Sequence, residues 1–336
     1  MAATGKIATA GSVRERKLIS VIVPVLNEQN NIARAYAEVC RVFEEIGRYD
    51  LEIIFTDNHS ADRTPEILAD IARVDPRVKV VRFARNFGFQ NSVLTGYRLA
   101  KGDAAFQLDC DLQDPPSSFP DFLALWEKGH DVVVGVRRHR HESRLMQLAR
   151  KSYYRLVQKF SDDNLVVDGG DFRLVDRSIL DQLRSIHEAH PYTRGLISSL
   201  AKRQIGTPID RDRRLFDRSK FPLRRLFSLA MDGVLAHSVL PLRLATYFGF
   251  IMAGGLFLLA CGYTIGRLLA GSDWPSGFAT LAVLIAMGAS LNAIFLGIIG
   301  EYVGRIYSQV RQRPNTVIEY TINLDEPPAT LQQRVG

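Results

Sequence analysis

Two carboxylates two residues apart, Asp109 and Asp111, with an amide at Gln113, stand in the stretch Leu108-Asp109-Cys110-Asp111-Leu112-Gln113-Asp114-Pro115-Pro116. Residues two apart in extended chain project to the same side. Hard oxygen donors at that spacing suit one divalent cation, which keeps open positions for water and phosphate oxygens. The spacing therefore predicts a metal–diphosphate site on Asp109, Asp111 and Gln113. A solvated strand end is the plain alternative, and position separates the two. The run Ala104–Leu108 reads as a buried strand and Pro115-Pro116 as a breaker, which puts the acids at a strand's carboxyl end.

Other residues able to do chemistry fall at similar places. Asn27 and Glu28 follow the apolar, β-branched run Leu18–Val25, Asp57 follows Leu51–Phe55, and Arg137 and Arg138 follow Asp131–Val136. Asp171 and Arg173 lie just beyond the glycines Gly169 and Gly170, which permit close backbone approach. Each has a plainer reading. Asp57 caps a helix before Ala61, Arg137 and Arg138 form a solvated pair, and Asp171 and Arg173 form an ion pair that fixes a turn. His59, His139 and His141 read as surface loop residues, and Glu301 as interfacial.

The elements that must position these groups alternate. Helices are expected at 32–46, 65–72, 90–100 and 119–128, between strands at 18–25, 51–55, 78–83, 104–108 and 131–136, with further helices at 147–160, 176–186 and 193–200. Alternation of this kind predicts an open α/β sheet with right-handed crossovers, in which ligands bind outside the carboxyl ends of the strands. A dinucleotide-binding fold would want a glycine-rich turn after the first strand, where this chain has Pro24-Val25-Leu26-Asn27-Glu28.

The 336 residues carry a net charge of +7, and the basic excess gathers between Lys202 and Arg225. An interfacial helix is expected at 222–242, and the runs Ala245–Leu269 and Phe278–Ile299 are each long enough to span a bilayer. Arginines flank the pair outside, and the turn between carries only Asp273, so the positive-inside rule puts the large domain and the tail on the cytoplasmic side of a multi-pass protein. The expected divisions are a disordered arm at 1–17, a catalytic domain at 18–221, the interfacial helix, a membrane hairpin at 243–305 and a tail at 306–336 without a motif. Lipid headgroups and substrate phosphates account for the charge better than nucleic acid, for which there is no motif. The three dispersed cysteines read as reduced.

Five motifs in order, Val21–Glu28, Asp57–Asp62, Arg85-Asn86-Phe87-Gly88, Asp109–Pro116 and Gly170–Leu174, followed by the hairpin, resemble family 2 glycosyltransferases of the GT-A fold. The resemblance is to the polyprenyl-phosphate glycosyltransferases akin to dolichyl-phosphate mannose synthase, in their bacterial form with two C-terminal membrane helices. It implies an inverting enzyme of the inner membrane with a UDP- or GDP-sugar donor, a polyprenyl phosphate acceptor, and Mg2+ or Mn2+ on Asp109, Asp111 and Gln113. It further implies donor contacts from Pro24, Asn27, Glu28, Asp57 and Asn86, and acceptor-phosphate contacts from Arg137 and Arg138. Asp171 and Arg173 would lie at the active-site wall beside the catalytic Asp111, with Lys220 as a further cation. A homo-oligomer is compatible with the pattern. Asn58, where a second acid is usual, and Cys110 between the two aspartates depart from it. A processive polysaccharide synthase would want a longer membrane region and a Gln-x-x-Arg-Trp motif, both missing from this sequence, and a non-catalytic membrane adaptor would not require the acids.

Overall fold

The computed structural model describes residues 16–137, 169–189, 191–210, 240–270, 277–311 and 313–324. The expectations for Arg138, Lys220, the 147–160 helix, most of the interfacial helix and nearly all of the N-terminal arm lie outside the described residues.

Eight strands form one mixed sheet: β1 (Lys17–Val25), β2 (Tyr49–Asp57), β3 (Val78–Phe83), β4 (Ala104–Gln107), β5 (Val132–Arg137), β6 (Gly169–Asp176), β7 (Gln204–Ile209) and β8 (Ile318–Ile322). Their spatial order is β7-β5-β6-β4-β1-β2-β3-β8. β1 pairs in parallel with both β2 and β4, and β2 with β3, as continuous β-branched runs buried on two faces require. β6 runs antiparallel between β4 and β5, and β8 runs antiparallel to β3. The glycine-bearing segment read as a turn is therefore the beginning of a strand, and the tail without a motif supplies the edge of the sheet.

Helices cover both faces. α1 (Ile32–Ile46), α2 (Thr64–Val74) and α4 (Phe119–Glu127) pack over one, with Val39, Phe43, Leu68 and Phe122 buried in its core. α3 (Phe89–Leu99), α5 (Arg177–Ser185) and α6 (Thr193–Leu200) pack over the other, around Leu94, Tyr97, Leu180 and Ile197. α1 ends at Gly47, whose φ of 64° lets its N–H return to the Phe43 carbonyl. Phe106, Phe119, Phe122 and Phe172 stack beneath the acidic stretch, with the Phe106 and Phe119 rings 4.0 Å apart, and so anchor both ends of the loop that carries Asp109 and Asp111.

α7 (Leu240–Ala270) and α8 (Phe278–Val310) are the two long apolar helices. Ala245–Gly266 and Met287–Val310 within them are long and apolar enough to cross a membrane. Phe250, Leu258 and Ile285 are exposed on them, as lipid-facing side chains would be. Glu301 pairs with Arg305 one turn on, at 3.1 Å. The end of α8 is bound to the sheet domain: Gln309 Nε2 donates to the His187 carbonyl at 2.5 Å, and Gln309 Oε1 accepts from Ala189 N at 2.8 Å.

Where α2 meets β3, the Arg77 guanidinium donates to Asp75 at 2.7 Å, and the Tyr36 hydroxyl donates to it at 2.9 Å. Arg77 holds the Asp75 carboxyl down at about 2, and burial, with Asp75 adjacent, pushes the Tyr36 phenol up to about 12. A carboxyl depressed on folding stabilises above its unfolded pKa and loses that contribution as pH falls through its folded one. Asp75→Asn is thus expected to cost about 2 kcal/mol at pH 7, with the difference from the parent closing between about pH 4 and pH 2 in denaturation measured across pH.

Candidate active site

The parallel strands β1 to β4, and β5 beside them, end on one edge of the sheet, and β6 begins there because it runs the other way. The acidic stretch leaves that edge from β4: Leu108 N still donates to the Ile22 carbonyl at 2.9 Å, after which the chain turns away. Gln107 pairs with Arg173 across β4 and β6, so two residues further along each chain toward the edge come Asp109 and Asp171. Arg137 ends β5 one residue past the Val136–Gly169 pair, on the same edge. The register alone gathers Asp109, Asp111, Arg137 and Asp171.

Asp111 accepts from Gln113 twice, from the backbone N at 3.2 Å and from Nε2 at 2.7 Å. Gln113 is buried and orients Asp111 through that amide. Cys110 turns the opposite way into the core, where burial drives its thiol pKa well up. The departure at Cys110 therefore leaves the two carboxylates on the side away from the core. Two carboxylates with an amide are a hard oxygen set, suited to Mg2+ or Mn2+ that shares its shell with phosphate oxygens. No group of three or more His, Cys, Asp or Glu among the described residues offers a self-sufficient metal cage. The donor set thus fits a cation completed by substrate.

Three of the four non-glycine residues with positive φ among the described residues lie in loops on this edge: Asn27 at 57°, His59 at 65° and Leu112 at 52°. Such conformations persist where surrounding contacts over-determine them. Asn27 shows how. Its N donates to Ser60 Oγ at 2.9 Å, and its Oδ1 accepts from Ala61 N at 2.8 Å, which ties the loop after β1 to the loop after β2. Glu28 N donates to Thr64 Oγ1 at 2.9 Å in the same seam. Pro24 pairs with Thr56 along the adjoining strands.

Asp57 is fully buried. Its Oδ1 accepts from Ser60 N and Ser60 Oγ, and its Oδ2 from Arg82 Nη1 at 2.5 Å. The helix-cap reading of Asp57 does not hold, since α2 begins at Thr64 with Arg63 at its N-cap, and these bonds close a turn instead. Asn58, the other departure, accepts from Phe87 N at 2.8 Å and so holds the Arg85–Gly88 loop. Asn86 closes that loop on itself by accepting from Gly88 N at 2.8 Å.

The expected ion pair between Asp171 and Arg173 does not form. Asp171 binds Arg194 of α6 in a two-pronged contact, Nε to Oδ1 and Nη2 to Oδ2, both at 2.5 Å. The two share a side of β6, being two residues apart, but Asp171 is drawn to Arg194 while Arg173 is buried. Arg173 is only 3% exposed; Nη2 donates to the Gly170 carbonyl at 2.9 Å, while Nε and Nη1 have no hydrogen-bond partner among the described residues. Burial lowers its guanidinium pKa from the ordinary arginine range. Arg194, Arg82 and Ser60 were not singled out in the sequence. Ser60 carried a usable signal, since Asp-x-x-Ser after a strand is an Asx-turn pattern. The two arginines carried none.

Residues 20–184 match the family described as glycosyl transferase family 2. A glycosyltransferase of Bacillus subtilis (strain 168), YkcC, is 34% identical over 91% of this chain and 94% of its own. The bactoprenol glucosyl transferase of Shigella phage SfII is 34% identical over 90% of this chain and 97% of its own. Among solved structures, mannosyl-3-phosphoglycerate synthase from Rubrobacter xylanophilus overlays with a TM-score of 0.48 at 18% identity, over 65% of this chain and 72% of that one, too distant a likeness to argue from.

The Asp171–Arg194 contact yields a direct test. Asp171→Asn removes the charge that faces Arg194 and is expected to cost about 1.5–3 kcal/mol of stability. Arg194→Gln added to it should cost clearly less than it does alone, as coupled partners require. Thermal melts of the four chains in detergent check this, and simple additivity would dismiss the coupling.

Proposed function

The chain belongs to glycosyl transferase family 2 and is a glycosyltransferase, and from that premise we propose that it moves a sugar from a UDP- or GDP-sugar to a polyprenyl, undecaprenyl-type phosphate. The transfer inverts the anomeric centre and takes place on the cytoplasmic face of the inner membrane. One observation carries this reading. The strand register brings the acidic stretch, Asp171 and the Arg137 end of β5 to one edge of a sheet whose chain continues into two membrane-length helices. The phage relative's name, a bactoprenol glucosyl transferase, supports a lipid acceptor.

Each part of the site then has a task. The joined loops with Pro24, Asn27, Glu28 and Asp57 frame the nucleoside end, and Asn86 shapes the loop beside them. Asp109, Asp111 and Gln113 would hold Mg2+ or Mn2+, whose charge offsets the diphosphate leaving group. The acceptor phosphate has a second pKa of about 6, by analogy with phosphorylated side chains, so its oxygen is already an anion near neutral pH and needs little help from a general base. The harder task is to bring that anion close to a second one. Arg137, Arg138 and Lys220 supply positive charge for it, and Arg173 adds a guanidinium whose burial strengthens its field at the edge. Attack opposite the departing diphosphate inverts the sugar carbon.

Asp111→Ala is expected to abolish transfer while the protein still inserts in membranes. The assay presents radiolabelled UDP- and GDP-sugars with undecaprenyl phosphate to membranes containing the protein. Label should reach the lipid fraction with one donor, disappear on chelation of divalent metal and return when Mg2+ or Mn2+ is restored. No label in lipid from any donor, or full activity in Asp111→Ala, would overturn the reading.

A further inference from the structure

Arg82, on β3, was given no task above, yet its guanidinium is the most heavily bonded on the nucleoside side of the site. Nη1 donates to Asp57 Oδ2 at 2.5 Å, Nη1 and Nη2 both donate to the Ser60 carbonyl at 3.2 Å, and Nε donates to Glu319 Oε2 at 2.9 Å. Arg82 and Asp57 are almost wholly buried, with side chains 13% and 1% exposed. Glu319 belongs to β8, beyond the membrane helices, and lies where the β3–β8 register shifts between Arg82 and Phe83. Its carboxylate also lies 3.7 Å from His59 Nδ1 in the strained loop.

The bonds continue past Asp57. Asp57 fixes Ser60 through its N–H and hydroxyl, Ser60 Oγ accepts from Asn27 N, and Asn27 Oδ1 accepts from Ala61 N. Glu319, Arg82, Asp57, Ser60 and Asn27 are therefore one uninterrupted chain, from the strand after the membrane helices to the left-handed turn after β1. Two further contacts seat that strand: Ala84 N donates to the Val317 carbonyl at 2.9 Å, and Thr95 Oγ1 lies 3.2 Å from Thr316 Oγ1.

We infer that Arg82 and Glu319 are positioning residues for the donor: Glu319 aims Arg82, and Arg82 sets Asp57 and the 57–61 loop in the shape that receives the nucleoside. Arginine suits the task because its planar fork reaches a carboxylate on each side at once, whereas a lysine ammonium is a single point of charge. Neither residue touches the reacting atoms, so their effect falls on donor binding rather than on the chemical step. This rests on the proposed nucleoside role of the joined loops, and the experiment is arranged so that the two ideas fail separately.

The variants are Glu319→Gln and Arg82→Lys in the full-length protein. Glu319 is half exposed, so Glu319→Gln should raise the donor KM only roughly threefold, with kcat at saturating donor and the acceptor KM unchanged. Arg82→Lys should raise it further in the same pattern, and the double variant should be no worse than Arg82→Lys alone. Hydrogen exchange of the Ser60 and Ala61 amides, measured without any donor, should quicken in both variants while exchange in α1 stays at the parental rate. An unchanged donor KM overturns the inference, as does a fall in kcat with KM unmoved. Should the parent protein accept no nucleotide sugar, the proposed function falls, and amide exchange alone decides the positioning role: unaltered Ser60 and Ala61 protection overturns it.

Discussion

The antiparallel seating of β6 between β4 and β5 is the constraint on which the rest depends. Had the chain returned in parallel, Gly169 to Arg173 would have entered the sheet from its far side, remote from the acids. Reversal brings the start of β6 to the place where β4 ends, so Asp171 reaches the edge that holds Asp109 and Asp111, with Arg173 buried beside Gln107 just inside it. The aromatic stack fixes this arrangement, since Phe172 of β6 meets Phe119 and Phe122, and Phe119 lies over Phe106 of β4. A packed apolar platform thereby sets the spacing of polar groups above it, a kind of rigidity that loops alone do not provide.

Charge is then distributed unevenly around that edge. Asp171 is engaged by Arg194, and Asp57 by Arg82, each through close charge-assisted bonds. The Arg173 guanidinium keeps two nitrogens without a hydrogen-bond partner among the described residues. A buried cation incompletely bonded is costly, and proteins keep such groups where an anion or its field is part of the task. The pairs that engage Asp57 and Asp171 thus leave the Arg173 guanidinium as the incompletely bonded charge beside them.

Much of this was legible in the residues. The strands β1 to β5 show as continuous apolar runs, and the acids at their ends could be placed because a parallel sheet fixes where loops emerge. Cys110 does face the core, but within a turn, where Leu112 N donates to the Asp109 carbonyl at 3.2 Å, rather than by strand alternation. Three things were hidden. Gly169–Asp176 mixes glycines and charges with apolar residues, so its strand character comes from neighbours on both sides rather than from its own pattern. β7 lies in a basic segment where alternation is weak. The sequence of β8, Ile318-Glu319-Tyr320-Thr321-Ile322, is too short and too polar to announce an edge strand, and only the unpaired side of β3 makes it one. Long-range pairs such as Arg82 with Glu319, 237 positions apart, leave no trace in local spacing.

β8 also bears on the order in which the molecule is made. The membrane helices stand in the chain between β7 and β8, so they interrupt the sheet domain instead of following it. A chain leaving the ribosome can pair its first seven strands while the outer edge of β3 still offers bare backbone donors and acceptors. An uncovered edge of that kind invites pairing with other chains. It is closed only when the last segment emerges, after both long apolar helices. Completion of the sheet thereby waits for both long apolar helices to be made, so the last strand to close the fold is also the last to leave the ribosome.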